Sequence, residues 1–169
     1  MNPAMQNLLE RRTIRKFKNT KVNPEDIKNI LTAGIYAPSG MNKQPMRFMV
    51  IEGPSPKRDA MAQHLGSSRS YFEAAPVLIV VLADKKQTVH TIKDAQTMGA
   101  CIQNMLLAAH SLGLGTVWIG QNYDANAQFM PELGLSTADY DFHAVICLGY
   151  PEVVPQAPAR QNLDFYMVK

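Results

Sequence analysis

The sequence is poor in the residues that mark several common chemistries. Among 169 residues there are two cysteines, Cys101 and Cys147. One stands in a helix-like and one in a strand-like segment, both among apolar neighbours, so buried reduced thiols are expected rather than a bridge. His64, His90, His110 and His143 show no metal-ligand spacing with one another or with the cysteines. There is no Gly-x-Ser-x-Gly elbow, no Walker loop and no Cys-x-x-Cys. The longest apolar run, Pro76 to Ala83, is too short to span a bilayer, and the first residues lack a signal-peptide apolar core. A net charge of +3 is too mild for the broad basic face of a nucleic-acid binder. The expectation is a cytoplasmic protein with no metal, no membrane contact and no nucleic-acid partner.

With 46% apolar and 18% charged residues, the chain has the composition of a globular protein. Its length predicts one domain over 1–169, burying about 70% of the unfolded chain's surface. Ala4, Met5, Leu8 and Leu9 recur at helical spacing. Asn23-Pro24-Glu25-Asp26 is a helix start: N-cap, proline at the first position, then acids at the positive helix end. Ile27, Ile30, Leu31 and Ile35 make the stripe that follows, and Pro38 stops it. Met46–Ile51, Val77–Leu82, Thr116–Ile119 and Phe142–Leu148 read as strands, the second fully buried. Pro56–Leu65 and a segment near Ala125 read as short helices. Thr91–Leu112 is the longest, with Ala95, Met98, Ile102, Met105, Leu106 and Ala109 inward. Helices and strands mix without strict alternation, which favours an α+β sandwich around one sheet. From 150 to 169 the chain carries Pro151, Pro155 and Pro158 and little periodicity, predicting an extended C-terminal arm lying across something else.

Two sections carry the functional signal. Arg11-Arg12-Thr13-Ile14-Arg15 packs guanidiniums and a hydroxyl together. Arginine forks make paired, charge-assisted bonds to phosphate; a basic turn capping the first helix is the alternative. Ala37-Pro38-Ser39-Gly40-Met41-Asn42-Lys43-Gln44-Pro45 is a rigid polar loop. The Asn42 and Gln44 amides both donate and accept, which matches the edge of a pyrimidine-like ring, though they could equally cap backbone groups. Gly113-Leu114-Gly115-Thr116-Val117-Trp118-Ile119-Gly120 is not a dinucleotide loop, because its glycines follow a helix and precede a strand. A helix C-cap fits better, followed by a strand whose end at Gly120 lets a ligand approach the backbone.

In this order the motifs resemble the FMN-dependent nitroreductase family over nearly the whole chain. Arg-Arg-Thr-x-Arg is followed by Ala-Pro-Ser-Gly-x-Asn-x-Gln-Pro before a strand. Gly-Leu-Gly-x-x-x-x-Gly then follows the long helix, and Leu148-Gly149-Tyr150-Pro151 precedes a late arginine, Arg160. The resemblance implies a three-layer sandwich with a central, mostly antiparallel sheet flanked by helices, and a homodimer with FMN at the subunit interface. It implies that Arg11, Arg12, Thr13, Arg15 and Arg160 hold the phosphate, ribityl chain and pyrimidine edge. Pro38, Ser39, Gly40 and Asn42 would come from the other subunit, and Ile119 and Gly120 would offer backbone amides near the flavin N5. NADH or NADPH would supply hydride, and a nitroaromatic, quinone or similar small molecule would accept electrons in a ping-pong cycle. FMN would carry the chemistry, with no catalytic side chain and Arg15 as the cation at the N1/O2 edge. A related flavin enzyme acting as a dehydrogenase or on a different small substrate, or an FMN-binding module without turnover, is the alternative. The chain departs from the family pattern at Pro158, where a basic residue is common, and at Met46, where an aromatic is.

Overall fold

A computed structural model describes residues 1–120 and 125–168. Among them the order is α1 (Pro3–Glu10), α2 (Pro24–Ile35), β1 (Met46–Glu52), α3 (Pro56–Ala62), α4 (Arg69–Ala74) and β2 (Val77–Asp84). There follow α5 (Thr91–Ser111), β3 (Gly115–Ile119), α6 (Ala125–Leu133) and β4 (Tyr140–Gly149). The strands form one antiparallel sheet in the order β1-β2-β4-β3.

Strand alternation builds two cores, one on each face. On β2, Leu78, Val80 and Leu82 meet Met61 and Phe72, from α3 and α4, and Phe129 and Met130 from α6. Val77, Ile79 and Val81 point the other way, onto Ile27 and Ile30 of α2 and Met98, Ile102 and Met105 of α5. Both faces of β2 and of the second half of β4 are therefore covered, which is why Val77–Ala83 and Ala144–Leu148 read as unbroken apolar runs. The result is a helix–sheet–helix sandwich.

Local sequence explains the helix ends. The Asn23 side chain accepts from Glu25 N at 3.0 Å, with Pro24 at the first helical position. After α5, Gly113 takes φ 75°, a left-handed conformation that glycine adopts without a Cβ clash, and Leu114 N donates to Ala109 O.

Several expectations change. Ile35 is exposed although it lies on the predicted stripe of α2. Ala95 is exposed too; Asp94 is the buried residue there, and its carboxylate accepts from Val89 N and His90 N at the start of α5. The helix expected over 56–65 stops at Ala62, and a 3-10 turn (Gly66–Ser68) leads into α4, which has no periodic signal of its own. α1 is helical as its spacing predicts, yet none of its residues is buried, and Leu8 and Leu9 face solvent. Cys101 and Cys147 are buried free thiols, as expected.

Of the arm, Tyr150 and Pro151 are partly buried, with Pro151 bridged to Phe17, whereas 152–168 is exposed throughout and forms a 3-10 turn at Leu163–Tyr166; Lys169 lies outside the described residues. Among the described residues no helix is long and apolar enough to cross a membrane.

Candidate functional site

The Arg11–Phe17 segment runs beside the edge strand β3. Ile14 N donates to Thr116 O at 2.9 Å, and Thr13 and Thr116 form a parallel bridge. Ile14 is buried in the core. Successive residues of an extended segment point to opposite sides, so Arg11, Thr13 and Arg15 share the other side, and all three line one cavity. Further along, Lys18 N donates to Tyr150 O and Glu152 N to Lys16 O, which ties the beginning of the C-terminal arm to the same segment.

The cavity has a volume of about 750 Å³. Thr116 to Gly120 form one side, and Gln103 and Leu106 of α5 another. Ser67, Ser68 and Tyr71, from the 3-10 turn and α4, complete it. No Asp or Glu is among its described lining residues. The pKa of Arg11 is lowered, first by burial, then by the charge of Arg12 and that of Arg160. Cations thus converge from both ends of the chain with no carboxylate among the described lining residues, an arrangement that an anion would relieve. Arg15 lies over the Tyr71 ring, its Cζ 5.9 Å from the centroid.

Arg12 faces elsewhere: its Nη1 donates to Leu9 O and Arg11 O at 2.8 Å, capping the end of α1. For this residue the helix-capping alternative describes the geometry. Arg160 reaches the site through its charge on Arg11 and is not part of the cavity lining. Ile119 and Gly120 lie at the exit of β3, both lining the cavity.

The loop of Pro38, Ser39, Gly40 and Asn42 does not line this cavity in the single chain. Its shape is nonetheless strongly specified. Met41, Asn42 and Gln44 have φ of 51°, 54° and 51°, a left-handed region that costs about 1–3 kcal/mol per non-glycine residue and recurs at functional sites. Ser39 Oγ accepts from Gln44 N at 3.0 Å, and Gln44 Nε2 donates to Asn42 O at 3.0 Å. Arg47 Nη1 braces the loop by donating to Gln44 O at 3.0 Å.

Other hollows carry less. One of about 660 Å³ has Arg58 as its buried cation, whose guanidinium is committed to the carbonyls of Gly53, Phe72, Glu73 and Ala75. Among the described residues no group of three or more His, Cys, Asp or Glu is placed to hold a metal.

Sequence reading missed Ser67, Ser68, Tyr71, Gln103 and Trp118. Gln103 and Trp118 sit on a helix and a strand that the sequence predicts, and the place of Trp118 inside the glycine motif, next to Ile119, is the available signal for it. The turn holding Ser67 and Ser68 carried none.

A helix–sheet–helix sandwich with a cation-rimmed cavity at its edge strand is the architecture of the chain, and comparison identifies its family. The sequence matches the nitroreductase family over residues 8–71 and 63–150, and the chain belongs to that family of oxidoreductases. A Desulfovibrio desulfuricans protein assigned as a nitroreductase and crystallised in complex with FMN is 38% identical, with a TM-score of 0.95 over 100% of this chain and 97% of its own. The NADPH-flavin oxidoreductase of Vibrio harveyi is 33% identical over 95% of this chain and 72% of its own length. The structure of a Vibrio harveyi NADPH:FMN oxidoreductase complexed with NAD+ superposes with a TM-score of 0.88 at 29% identity, over 99% of this chain and 77% of that one.

Proposed function

We propose that this protein is an FMN-dependent oxidoreductase that takes hydride from NADH or NADPH and reduces nitroaromatic, quinone or similar small acceptors. The observation that carries this reading is the convergence of Arg11, Arg12 and Arg160 beside a cavity that also holds Thr13 and Arg15 and is free of carboxylates among its described lining residues. The donor set fits a phosphorylated flavin. Arg11 and Arg160 would take the phosphate, with Arg12 adding its charge nearby, and Thr13 would serve the phosphate or ribityl chain. Arg15 would meet the pyrimidine edge, where a cation favours the anionic reduced ring. The Ile119 and Gly120 amides would approach N5, and Gly120 keeps side-chain bulk away from that approach. When bound, FMN supplies the hydride chemistry, so no side chain in the cavity is required as a general acid or base.

The working unit is a homodimer, with FMN between the subunits. One chain leaves Leu8, Leu9, Val154, Leu163, Phe165 and Tyr166 exposed, a pattern of apolar residues that a partner surface would cover. The rigid Pro38–Asn42 loop, absent from its own chain's cavity, would complete the partner's. The chain from 1 to 169 acts as one FMN-binding domain whose arm, 150–169, embraces the second copy. Donor and acceptor would use the same open face of the flavin in turn.

Steady-state kinetics test this. With NADH or NADPH varied at several fixed levels of a nitroaromatic or quinone, double-reciprocal plots are expected to be parallel. Intersecting lines would refute the shared site. Yellow protein that oxidises NAD(P)H no faster than free FMN would refute the catalytic reading.

A further inference from the structure

Arg15 carries the electrostatic part of the proposed function, yet its own backbone does not fix its head group. The residue is exposed, and its long side chain has many rotamers of similar energy. No described carboxylate pairs with it. What it meets instead is the face of Tyr71, at 5.9 Å from the ring centroid. Tyr71 is in turn held by its hydroxyl, which donates to Ser68 Oγ. Ser68 is buried, in the 3-10 turn immediately before α4, and Ser68, Tyr71 and Arg15 all line the same cavity.

We infer that Tyr71 is a positioning residue for the flavin: it orients the Arg15 guanidinium through a cation–π contact and so sets the reduction potential of bound FMN. This inference rests on the proposed function, in which Arg15 faces the pyrimidine edge. The chemistry favours an aromatic partner over an acidic one. A carboxylate would fix the guanidinium but neutralise the charge that the reduced flavin needs. A ring quadrupole holds the cation within about 6 Å and leaves its net charge intact. Both guanidine edges stay free to donate, because the ring occupies only a face. The Ser68 bond matters because it anchors the ring from a buried residue, which makes Arg15 the adaptable member of the pair.

The test is the midpoint potential of FMN bound to wild type, Tyr71→Ala, Tyr71→Phe, Arg15→Ala and the Arg15→Ala/Tyr71→Ala double variant, with FMN affinity measured alongside. Loss of orientation is expected to weaken the preference for reduced over oxidised FMN by roughly three- to tenfold in Tyr71→Ala. At tenfold this lowers a two-electron potential by about 30 mV. Arg15→Ala should lower it at least as much, and in that background Tyr71→Ala should add nothing. Tyr71→Phe keeps the ring face and should retain most of the wild-type potential. A merely structural Tyr71 would lower the melting temperature but leave the potential of the bound flavin in place. If Arg15→Ala lowers the potential and Tyr71→Ala does not, Tyr71 is not the positioning residue. If the effects of the two single substitutions simply add in the double variant, the coupling is likewise refuted. Failure of the wild-type protein to bind FMN is a separate outcome and would refute the proposed function itself.

Discussion

Gly115 and Ile14 meet so closely that no side chain fits between them: a Cβ on Gly115 would lie 2.6 Å from Ile14 Cγ1 and 2.7 Å from its Cβ. Both Ile14 contacts belong to the near, stiff part of a β-branched residue whose backbone is bonded to Thr116, so neither side can easily move. Gly115 therefore sets how closely the Arg11–Arg15 segment lies against β3, and with it where Thr13 and Arg15 stand.

Gly115→Ala is expected to destabilise the fold by about 1–3 kcal/mol, in the range of other overpacking substitutions. Because the displaced segment carries three cavity-lining side chains, FMN affinity should fall as well. Denaturant unfolding and FMN titration of this variant check both effects. Wild-type stability would show that the segment yields freely.

Arg11→Ala and Arg160→Ala each remove charge-assisted bonds worth about 1.5–3 kcal/mol, so FMN affinity should fall by roughly ten- to a hundredfold. Activity should largely return in excess FMN, because neither residue is placed at the reacting ring. Arg12→Ala should cost less in FMN affinity, since its guanidinium is already bonded to the Leu9 and Arg11 carbonyls. Equal losses at positions 11, 12 and 160 would contradict this ordering.

Much of the fold was legible because local and tertiary signals agree. The Asn23-Pro24 cap, the buried run of β2 and the stripe of α5 each require the element that forms. Burial was less legible where it depends on what lies outside the chain. The apolar spacing of α1 correctly predicts a helix, but Leu8 and Leu9 stay about half exposed beside the described residues. At the site, the arginine motif was visible but its sorting was not. Placing Arg11, Thr13 and Arg15 together, with Arg12 turned back onto α1, requires knowing that the segment is extended and pinned at Ile14. Tyr71 was hidden for a different reason: its partner lies far away in sequence, and the six residues of α4 are too few to show a period. In the polar loop the left-handed residues are Met41, Asn42 and Gln44 rather than Gly40; asparagine accepts this conformation readily, but for Met41 and Gln44 it runs contrary to ordinary backbone preference.

Stability should be highest between about pH 6.5 and 9. Burial lowers the pKa of His143 below its ordinary 6.5, outweighing the opposing pull of Asp141 and Asp94, and burial also lowers that of His110. Below 6.5 the unfolded chain therefore binds more protons than the folded one, and stability falls as pH falls. Burial pushes the Cys101 and Cys147 thiols up to about 12 from 9.0. Above pH 9 the unfolded thiols ionise while the folded ones do not, so stability falls again as pH rises. Melting temperatures across this range check both flanks, and a midpoint that keeps rising beyond pH 9 would contradict the thiol assignment.

The exposed aromatic turn of the arm should hold two copies together. Phe165 is 69% exposed in one chain, and Phe165→Asp should shift a dimer at micromolar concentration toward monomer and weaken FMN binding with it. Sedimentation velocity on wild type and variant checks this. A fully active wild-type monomer would contradict the shared interface.

The most direct test of the central claim is titration of the purified, flavin-free protein with FMN, followed by flavin fluorescence. Saturable binding of one FMN per chain is expected, with a melting temperature that rises with FMN concentration and affinity sharply reduced in the Arg11→Ala/Arg160→Ala double variant. No saturable binding, or a double variant that binds FMN as tightly as wild type, would contradict it.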